Sequence, residues 1–136
     1  MSLKYLQEKT NILQPSNDAL CFGLDPKEID YLKTLKVEPH TIESLKTAGE
    51  ISTKFNIIVF GSVLGLFSAF SIVEKYIGHL LPNAKILMKT RIDSTLDDTK
   101  NTISQLAKSL KFVPAEYIHE EKNENELWVI LARTRK

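Results

Sequence analysis

The chain has 136 residues, of which 43% are hydrophobic and 26% are charged. These values are typical of one globular domain and argue against wholesale disorder. The formal net charge of +1 gives no support to a nucleic-acid binder, which normally carries a basic excess. Cys21 is the only cysteine, so the chain by itself can form neither an internal disulfide nor a thiolate metal site. We expect a single domain over residues 1–136.

Two segments bear on targeting and membranes. The first ten residues carry charges where a signal peptide needs an apolar core, so we expect a cytoplasmic protein. Residues 57–73 carry no charge and approach the length of a membrane span. However, Ile57–Phe60 is a β-branched apolar run typical of a buried strand. Beyond Gly65 the apolar residues recur every three or four positions, which predicts an amphipathic helix on a sheet and no membrane contact.

The first third of the chain predicts helices and short strands in alternation. Residues 1–16 are expected to form an N-terminal helix or extension, and Ala19–Leu24 a short apolar strand. Asp25, followed by a proline, predicts the N-cap of the next helix. Val37–Ile42 predicts a short strand, which Pro39 confines to an edge of the sheet.

The middle of the chain continues this alternation. Glu43–Gly49 predicts a helical turn, and Ile57–Phe60 predicts a buried strand. The amphipathic helix that follows is expected to end near Leu81, with a turn at Pro82-Asn83. Ile86–Met88 is then predicted to be a third central strand.

The last third predicts a helix and a hairpin. The helix is expected to end near Leu110, and Phe112–His119 and Leu127–Ala132 are predicted strands. The charged loop Glu120–Glu126 between them is too short for a crossover helix, so the two strands should be antiparallel. The predicted fold is therefore α/β, with a mostly parallel sheet, helices on both faces and a C-terminal antiparallel hairpin.

This order of elements resembles the class I S-adenosylmethionine-dependent methyltransferases, whose Rossmann-like sheet also ends in an antiparallel hairpin. Phe55–Ser62 resembles the fourth strand of that fold, and His79–Lys89 resembles its passage from helix through turn to strand. Leu106–Phe112 resembles the end of the helix that precedes the final hairpin. The resemblance implies a methyltransferase-like Rossmann sheet.

The cofactor motif of those enzymes is the main difference. None of the five glycines forms the glycine-rich turn that they place after the first strand. If S-adenosylmethionine binds, the resemblance implies that Asp25, Gly61 and Ser62 contact it. An N-cap role explains Asp25 without any ligand. The sequence leaves open whether Ala19–Leu24 is the first or the second strand of that fold, and therefore whether a cofactor cleft exists.

A methyltransferase-like sequence of this length without the glycine-rich turn resembles the N-terminal domain of the anamorsin family, which are cytosolic iron–sulfur cluster assembly factors. Thr41–Leu45, Phe55–Gly61, Leu81–Lys89 and Glu126–Lys136 occur in matching order and spacing. The resemblance implies a non-catalytic protein-interaction domain that works beside a diflavin reductase. It also implies that this chain holds no cofactor, because the family binds its iron–sulfur clusters through cysteines in a separate C-terminal segment.

Two charged groups are candidate partner contacts. Lys89 and Arg91 follow the third central strand, and groups beyond the carboxyl ends of parallel strands face the ligand crevice. The alternative is that both are ordinary solvated residues at a strand end. Glu120, Glu121 and Glu124 make the hairpin loop acidic, which suits a basic partner.

Two other functions remain open at this point. One is a small or partial S-adenosylmethionine-dependent methyltransferase. The other is a methyltransferase-like subunit that acts with a catalytic partner and contacts it through residues 61–70. Cys21 is predicted to be an inert core thiol and Trp128 a core residue, and the spacing of the histidines suggests no metal site.

Overall fold

The computed structural model describes residues 2–41, 54–61, 65–92, 95–119 and 125–133. The helices in these ranges are α1 (Ser2–Thr10), α2 (Pro26–Thr34), α3 (Leu66–Tyr76) and α4 (Leu96–Ser109). The strands are β1 (Asp18–Phe22), β2 (Glu38–His40), β3 (Phe55–Phe60), β4 (Leu80–Arg91), β5 (Phe112–His119) and β6 (Glu126–Arg133). A 3₁₀ turn, Ile77–His79, joins α3 to β4. The helical turn predicted at Glu43–Gly49 lies outside the described residues.

The described strands form one sheet in the order β2-β1-β3-β4-β6-β5. β1 pairs in parallel with β2 and β3, and β3 pairs in parallel with β4. β6 is antiparallel to both β4 and β5. The predicted α/β fold, a mostly parallel sheet with a C-terminal antiparallel hairpin, is confirmed. Among the described strands, the strand that contains Pro39 lies at the edge of the sheet, as predicted.

The position of β1 shows whether residues 19–24 form the first or the second strand of the methyltransferase-like fold. β1 lies between β2 and β3, so it is the central first strand of the sheet. The chain leaves β1 toward one edge and returns to β3 on the other side. Ligands of open α/β sheets bind at such a reversal of strand order, at the carboxyl ends of the strands. This fold therefore places its ligand crevice at the ends of β1 and β3.

Helices cover both faces of the sheet because the strands are apolar on both sides. One core cluster joins α1 and α2 to one face, and the other joins α3 and α4 to the opposite face. Trp128 on β6 is fully buried on the α1–α2 side, while Val129 is buried on the other side, which confirms the predicted core role of Trp128. No helix within the described ranges is long and apolar enough to cross a membrane.

Two predicted boundaries between α3 and β4 are wrong. α3 ends at Tyr76 rather than near Leu81, and the 3₁₀ turn follows it. Pro82-Asn83 lies inside β4, which begins at Leu80, rather than in a turn before the strand. Pairing with β3 at Leu80 starts the strand early, and no local pattern in the sequence reports that pairing.

The start of β4 contains a wide irregularity. Phe55 pairs with Leu80, but the next pair joins Ile57 to Lys85, so residues 81–84 of β4 lie opposite the single residue Asn56. A proline is tolerated at such a bulge because its missing N–H removes no regular ladder hydrogen bond.

Candidate functional site

The crevice at the switch point is formed by the ends of β1 and β3, which are tied to each other. The Gly61 N–H donates a hydrogen bond to the Phe22 carbonyl at 2.9 Å. The rings of Phe22 and Phe60 stack with their centroids 5.2 Å apart. Because these two residues are also paired across the sheet, the two strand ends hold one fixed geometry.

The side chain of Leu24 covers the end of β3. Gly23 has a φ of 68°, a left-handed conformation that glycine adopts without strain, and it turns the chain after β1. A Cβ added to Gly61 would overlap Leu24 Cδ2 and would lie 3.1 Å from the Gly23 carbonyl oxygen. The space directly against Gly61 is therefore occupied by this chain's own side chain.

Asp25 caps α2. Its side chain accepts a hydrogen bond from the Glu28 N–H at 2.9 Å, and Glu28 Oε1 accepts one from the Asp25 N–H at 3.4 Å. With Pro26 in the first turn, this is a complete capping box. The predicted N-cap role of Asp25 is confirmed. Its role toward S-adenosylmethionine stays a prediction.

Lys89 and Arg91 share one carboxylate. Lys89 Nζ lies 3.7 Å from Glu126 Oε1, and Arg91 lies 3.9 Å from Glu126 Oε2. The side chains of Lys89 and Glu126 are each only 16% exposed, whereas that of Arg91 is 62% exposed. Lys89 is thus a largely buried ion-pair member, and Arg91 is the more accessible of the two predicted contacts.

Glu28 is a buried carboxyl next to this group. It lies in the first turn of α2, the residue is only 8% exposed, and its charge interacts with that of Lys89. Burial is the main cause that raises the pKa of Glu28, and the neighbouring Asp25 charge adds to it. The Asp25 N–H and the charge of Lys89 act in the opposite direction. Asp25, Glu28 and Lys89 therefore bring charges of both signs close together beside α2.

Cys21 is buried in β1, on the face of the sheet that α1 and α2 cover. Its thiol contacts the Ala19 carbonyl at 3.6 Å, and burial raises its pKa to about 12. This agrees with the predicted core thiol. His40 pairs with Asp18 at 3.0 Å on the sheet edge. Among the described residues, no three His, Cys, Asp or Glu side chains come together as a metal-binding group.

The structure brings only some of the predicted site residues together. Asp25 and Gly61 lie at adjacent strand ends, and Lys89 and Arg91 meet at Glu126. The remaining candidates, Ser62, Glu120, Glu121 and Glu124, lie outside the described residues.

Sequence reasoning missed Leu24 and Glu28, and it placed Glu126 in the acidic hairpin loop without its pairing to Lys89. Glu28 carried a usable signal, because an Asp followed three residues later by Glu at a helix start predicts a capping box. Glu126 and Leu24 carried none, since their contacts are made with other strands of the sheet.

Comparison with solved structures defines the class of fold. A methyltransferase from Pyrococcus furiosus is 14% identical, with 98% of this chain and 82% of that chain covered and a TM-score of 0.59. A 1,6-didemethyltoxoflavin-N1-methyltransferase from Burkholderia thailandensis, solved with bound S-adenosylhomocysteine, is 8% identical over 98% and 77% of the two chains, with a TM-score of 0.69. The ribosomal protein L11 methylase from Lactobacillus delbrueckii subsp. bulgaricus is 10% identical over 98% and 77%, with a TM-score of 0.61.

These likenesses show the fold alone, because the sequence identities are low. No family model matches the sequence, and no curated protein matches it. The chain has the class I methyltransferase-like Rossmann fold, with the antiparallel strand β6 inserted between β4 and β5.

Proposed function

We propose that this chain is a non-catalytic, methyltransferase-like interaction domain of a cytosolic iron–sulfur cluster assembly factor of the anamorsin type. The methyltransferase-like fold and the order of the resembling segments, Phe55–Gly61, Leu81–Lys89 and Glu126–Lys136, support this proposal. On this proposal the clusters belong to a C-terminal cysteine segment of the same factor, and a diflavin reductase is the expected partner.

The contact of Leu24 with Gly61 carries the non-catalytic part of the proposal. A cofactor at a switch point needs close approach to the backbone at the strand ends, which is why glycines are used there. In this chain Leu24 lies against the one glycine at the end of β3, and Asp25 already accepts a hydrogen bond as a helix cap.

Exposed groups at the same edge support a protein contact. Phe67, in the first turn of α3, is 71% exposed, the higher of the two exposed large hydrophobic residues within the described ranges. Arg91 is mostly exposed although it is paired to Glu126. An aromatic anchor and an arginine are the residue types that most often dominate protein interfaces. The acidic hairpin loop Glu120, Glu121 and Glu124 remains a further candidate contact.

The second candidate is a small S-adenosylmethionine-dependent methyltransferase. The observation that favours it is the strand order, which places the switch point between β1 and β3 as in a cofactor-binding sheet. On this alternative Asp25, Gly61 and Ser62 would contact the cofactor, and Leu24 would have to move away from Gly61.

Ligand binding separates these two functions. S-adenosylmethionine and S-adenosylhomocysteine are titrated at millimolar concentration by calorimetry, with melting temperature as a second readout. A ligand at 100 times its dissociation constant stabilises a domain by about 2.7 kcal/mol, which is easily seen. We expect no heat and no shift. A shift that is lost in Asp25→Ser, which keeps a capping oxygen, would replace our proposal with the enzyme.

Partner binding tests the proposal directly. We expect a purified diflavin reductase to bind the chain in biolayer interferometry, and Phe67→Ser and Arg91→Glu to weaken that binding by about tenfold each. Lys108→Glu is the matched control, because Lys108 is exposed at the far end of α4. Failure of the wild-type chain to bind would remove the reductase from the proposal. Equal losses for Arg91→Glu and Lys108→Glu would indicate a non-specific charge effect.

A further inference from the structure

A second concave site lies at the opposite, amino edge of the sheet. The irregular pairing of β4 leaves residues 81–84 opposite Asn56 alone, which separates the starts of β3 and β4. A cleft of about 180 Å³ opens there. It is lined by carboxamide and amine side chains over two isoleucines: Ile12, Gln14, Asn17, Asn56, Ile57, Asn83 and Lys85.

The hydrogen bonds of the lining amides determine what the cleft offers to a ligand. Asn56 Oδ1 accepts the Asp18 N–H at 2.7 Å, and Asn17 Oδ1 accepts the Gln14 N–H at 3.3 Å. Since a backbone N–H can only donate, these bonds fix the oxygen of each carboxamide. Among the described residues the amino groups of Asn17 and Asn56 make no hydrogen bond, so their two N–H donors each are available to a ligand in the cleft that both residues line.

Lys85 adds a positive charge to these donors. It lines the cleft and is partly buried, and within the described ranges no carboxylate pairs with it. The lining contains no acidic residue. A partly desolvated ammonium group beside amide donors favours an anionic oxygen ligand, because charge-assisted hydrogen bonds are stronger than neutral ones.

The size of the cleft, its single lysine and its apolar lining indicate which class of anion fits it. One lysine balances the single charge of a carboxylate, whereas a phosphate group carries more charge and usually recruits arginine or a helix N-terminus. Ile12 and Ile57 supply an apolar surface suited to methylene groups. About 180 Å³ is smaller than the roughly 300–1,000 Å³ of pockets for drug-sized ligands.

We propose that this cleft binds a carboxylate carried on a short aliphatic chain, with Lys85 as the counter-ion and the amino groups of Asn17 and Asn56 as hydrogen-bond donors. The source is either the glutamate side chain of a partner protein or a free aliphatic acid, since both present the same chemistry. The site is independent of the crevice at the carboxyl edge and of the function proposed for it.

The test is an NMR titration of the ¹⁵N-labelled chain, followed at the side-chain amide resonances of Asn17 and Asn56. The ligands are butyrate, a blocked glutamate (N-acetylglutamate N-methylamide), neutral butyramide and inorganic phosphate. We expect saturable shifts with butyrate and blocked glutamate, with a dissociation constant on the order of 1 mM. Butyramide and phosphate should bind at least about tenfold more weakly. A tighter complex with blocked glutamate points to a protein source, and a tighter one with butyrate to a free acid.

Matched variants locate the binding. Asn56→Asp keeps the oxygen that accepts the Asp18 N–H but replaces the donating amino group with a carboxylate oxygen, and Lys85→Gln removes the counter-ion. Each should weaken butyrate binding by about tenfold or more. Lys36→Gln, an exposed lysine near Asn17 that does not line the cleft, should leave it unchanged.

Three results would overturn the proposal, and two of them need only the wild-type chain. These are the absence of saturable shifts with either carboxylate, and butyramide or phosphate binding as tightly as butyrate. The third is unchanged binding in Lys85→Gln with a well-dispersed spectrum that shows the variant is folded.

Discussion

Phe22 on β1 stacks on Phe60 on β3, with ring centroids 5.2 Å apart and 16° between the ring planes. This stack closes the carboxyl ends of the two strands between which the sheet reverses its order. The hydrogen bond from the Gly61 N–H to the Phe22 carbonyl joins the same two strand ends, and the Leu24 side chain packs on them at Gly61. The site is therefore shaped by apolar packing at a place where this fold commonly offers backbone to a ligand.

The contact of Leu24 with Gly61 predicts a coupled pair of substitutions. Gly61→Ala should lower the free energy of unfolding by about 1 kcal/mol, because Leu24 Cδ2, the far end of a half-buried side chain, must move away from the new methyl group. In a Leu24→Ala background the same change should cost clearly less, since the obstructing atoms are gone. Urea denaturation of the four proteins measures the coupling.

Gly78→Ala is the control for this cycle, because a Cβ at Gly78 meets no atom within 4 Å. It should change stability by less than about 0.5 kcal/mol. Equal costs of Gly61→Ala with and without Leu24 would contradict the packing described here.

The cap of α2 predicts a modest loss for Asp25→Ala. The substitution removes the acceptor of the Glu28 N–H and should cost about 1 kcal/mol, whereas Asp25→Ser should cost less because serine also caps helices. Thermal melts followed by circular dichroism measure both changes. Asp30→Ala, an exposed site on the same helix that makes no capping bond, should be nearly neutral, and a cost equal to that of Asp25→Ala would speak against the cap.

Glu28 predicts a pH dependence of stability. Burial raises the pKa of Glu28 in the folded protein, so the folded state holds this proton more tightly than the unfolded chain. The stabilisation linked to this proton is fully present below the ordinary glutamate pKa and is lost as pH rises through the raised value. Glu28→Gln should therefore gain stability relative to wild type as pH increases from about 4 to about 7.

Urea denaturation at a series of pH values measures that difference. Asp30→Asn, which removes an exposed carboxylate from the same helix, is the control and should show little trend. A difference between wild type and Glu28→Gln that stays constant with pH would show that the Glu28 pKa is the same in the folded and unfolded states.

The Cys21 thiol predicts chemical inertness. It is 5% exposed, and burial raises its pKa to about 12, so almost no thiolate forms near neutral pH. A thiol reagent such as dithiobis-nitrobenzoate at pH 8 should leave the native protein unmodified and should label one thiol after unfolding. Rapid labelling of the folded protein would mean that β1 opens readily.

Features with a local cause could be predicted from the sequence. Asp25 before a proline predicted the helix cap, and Pro39 predicted an edge strand, because both effects act within a few residues. The acidic loop was too short for a crossover, so the terminal hairpin and its antiparallel pairing followed. The alternation of strands and helices then predicted the mostly parallel sheet.

The boundaries of α3 and β4 could not be predicted in the same way. The apolar repeat continued through Ile77 and Leu80, but pairing of Leu80 with Phe55 draws that residue into the sheet. The bulge at residues 81–84, and with it the amide-lined cleft, depends on the register between two strands that are far apart in sequence. Periodicity reports which face a residue prefers and does not report which residue lies opposite it.

The sequence by itself therefore determined the class of fold, the helix cap and the core role of Trp128, because propensity, capping and hydrophobic patterning are short-range effects. Only the tertiary structure decided that Leu24 lies on Gly61, that Lys89 pairs with Glu126 and that Asn56 lines an open cleft. Each of these contacts joins elements brought together by sheet register, and register is set by the packing of the whole domain.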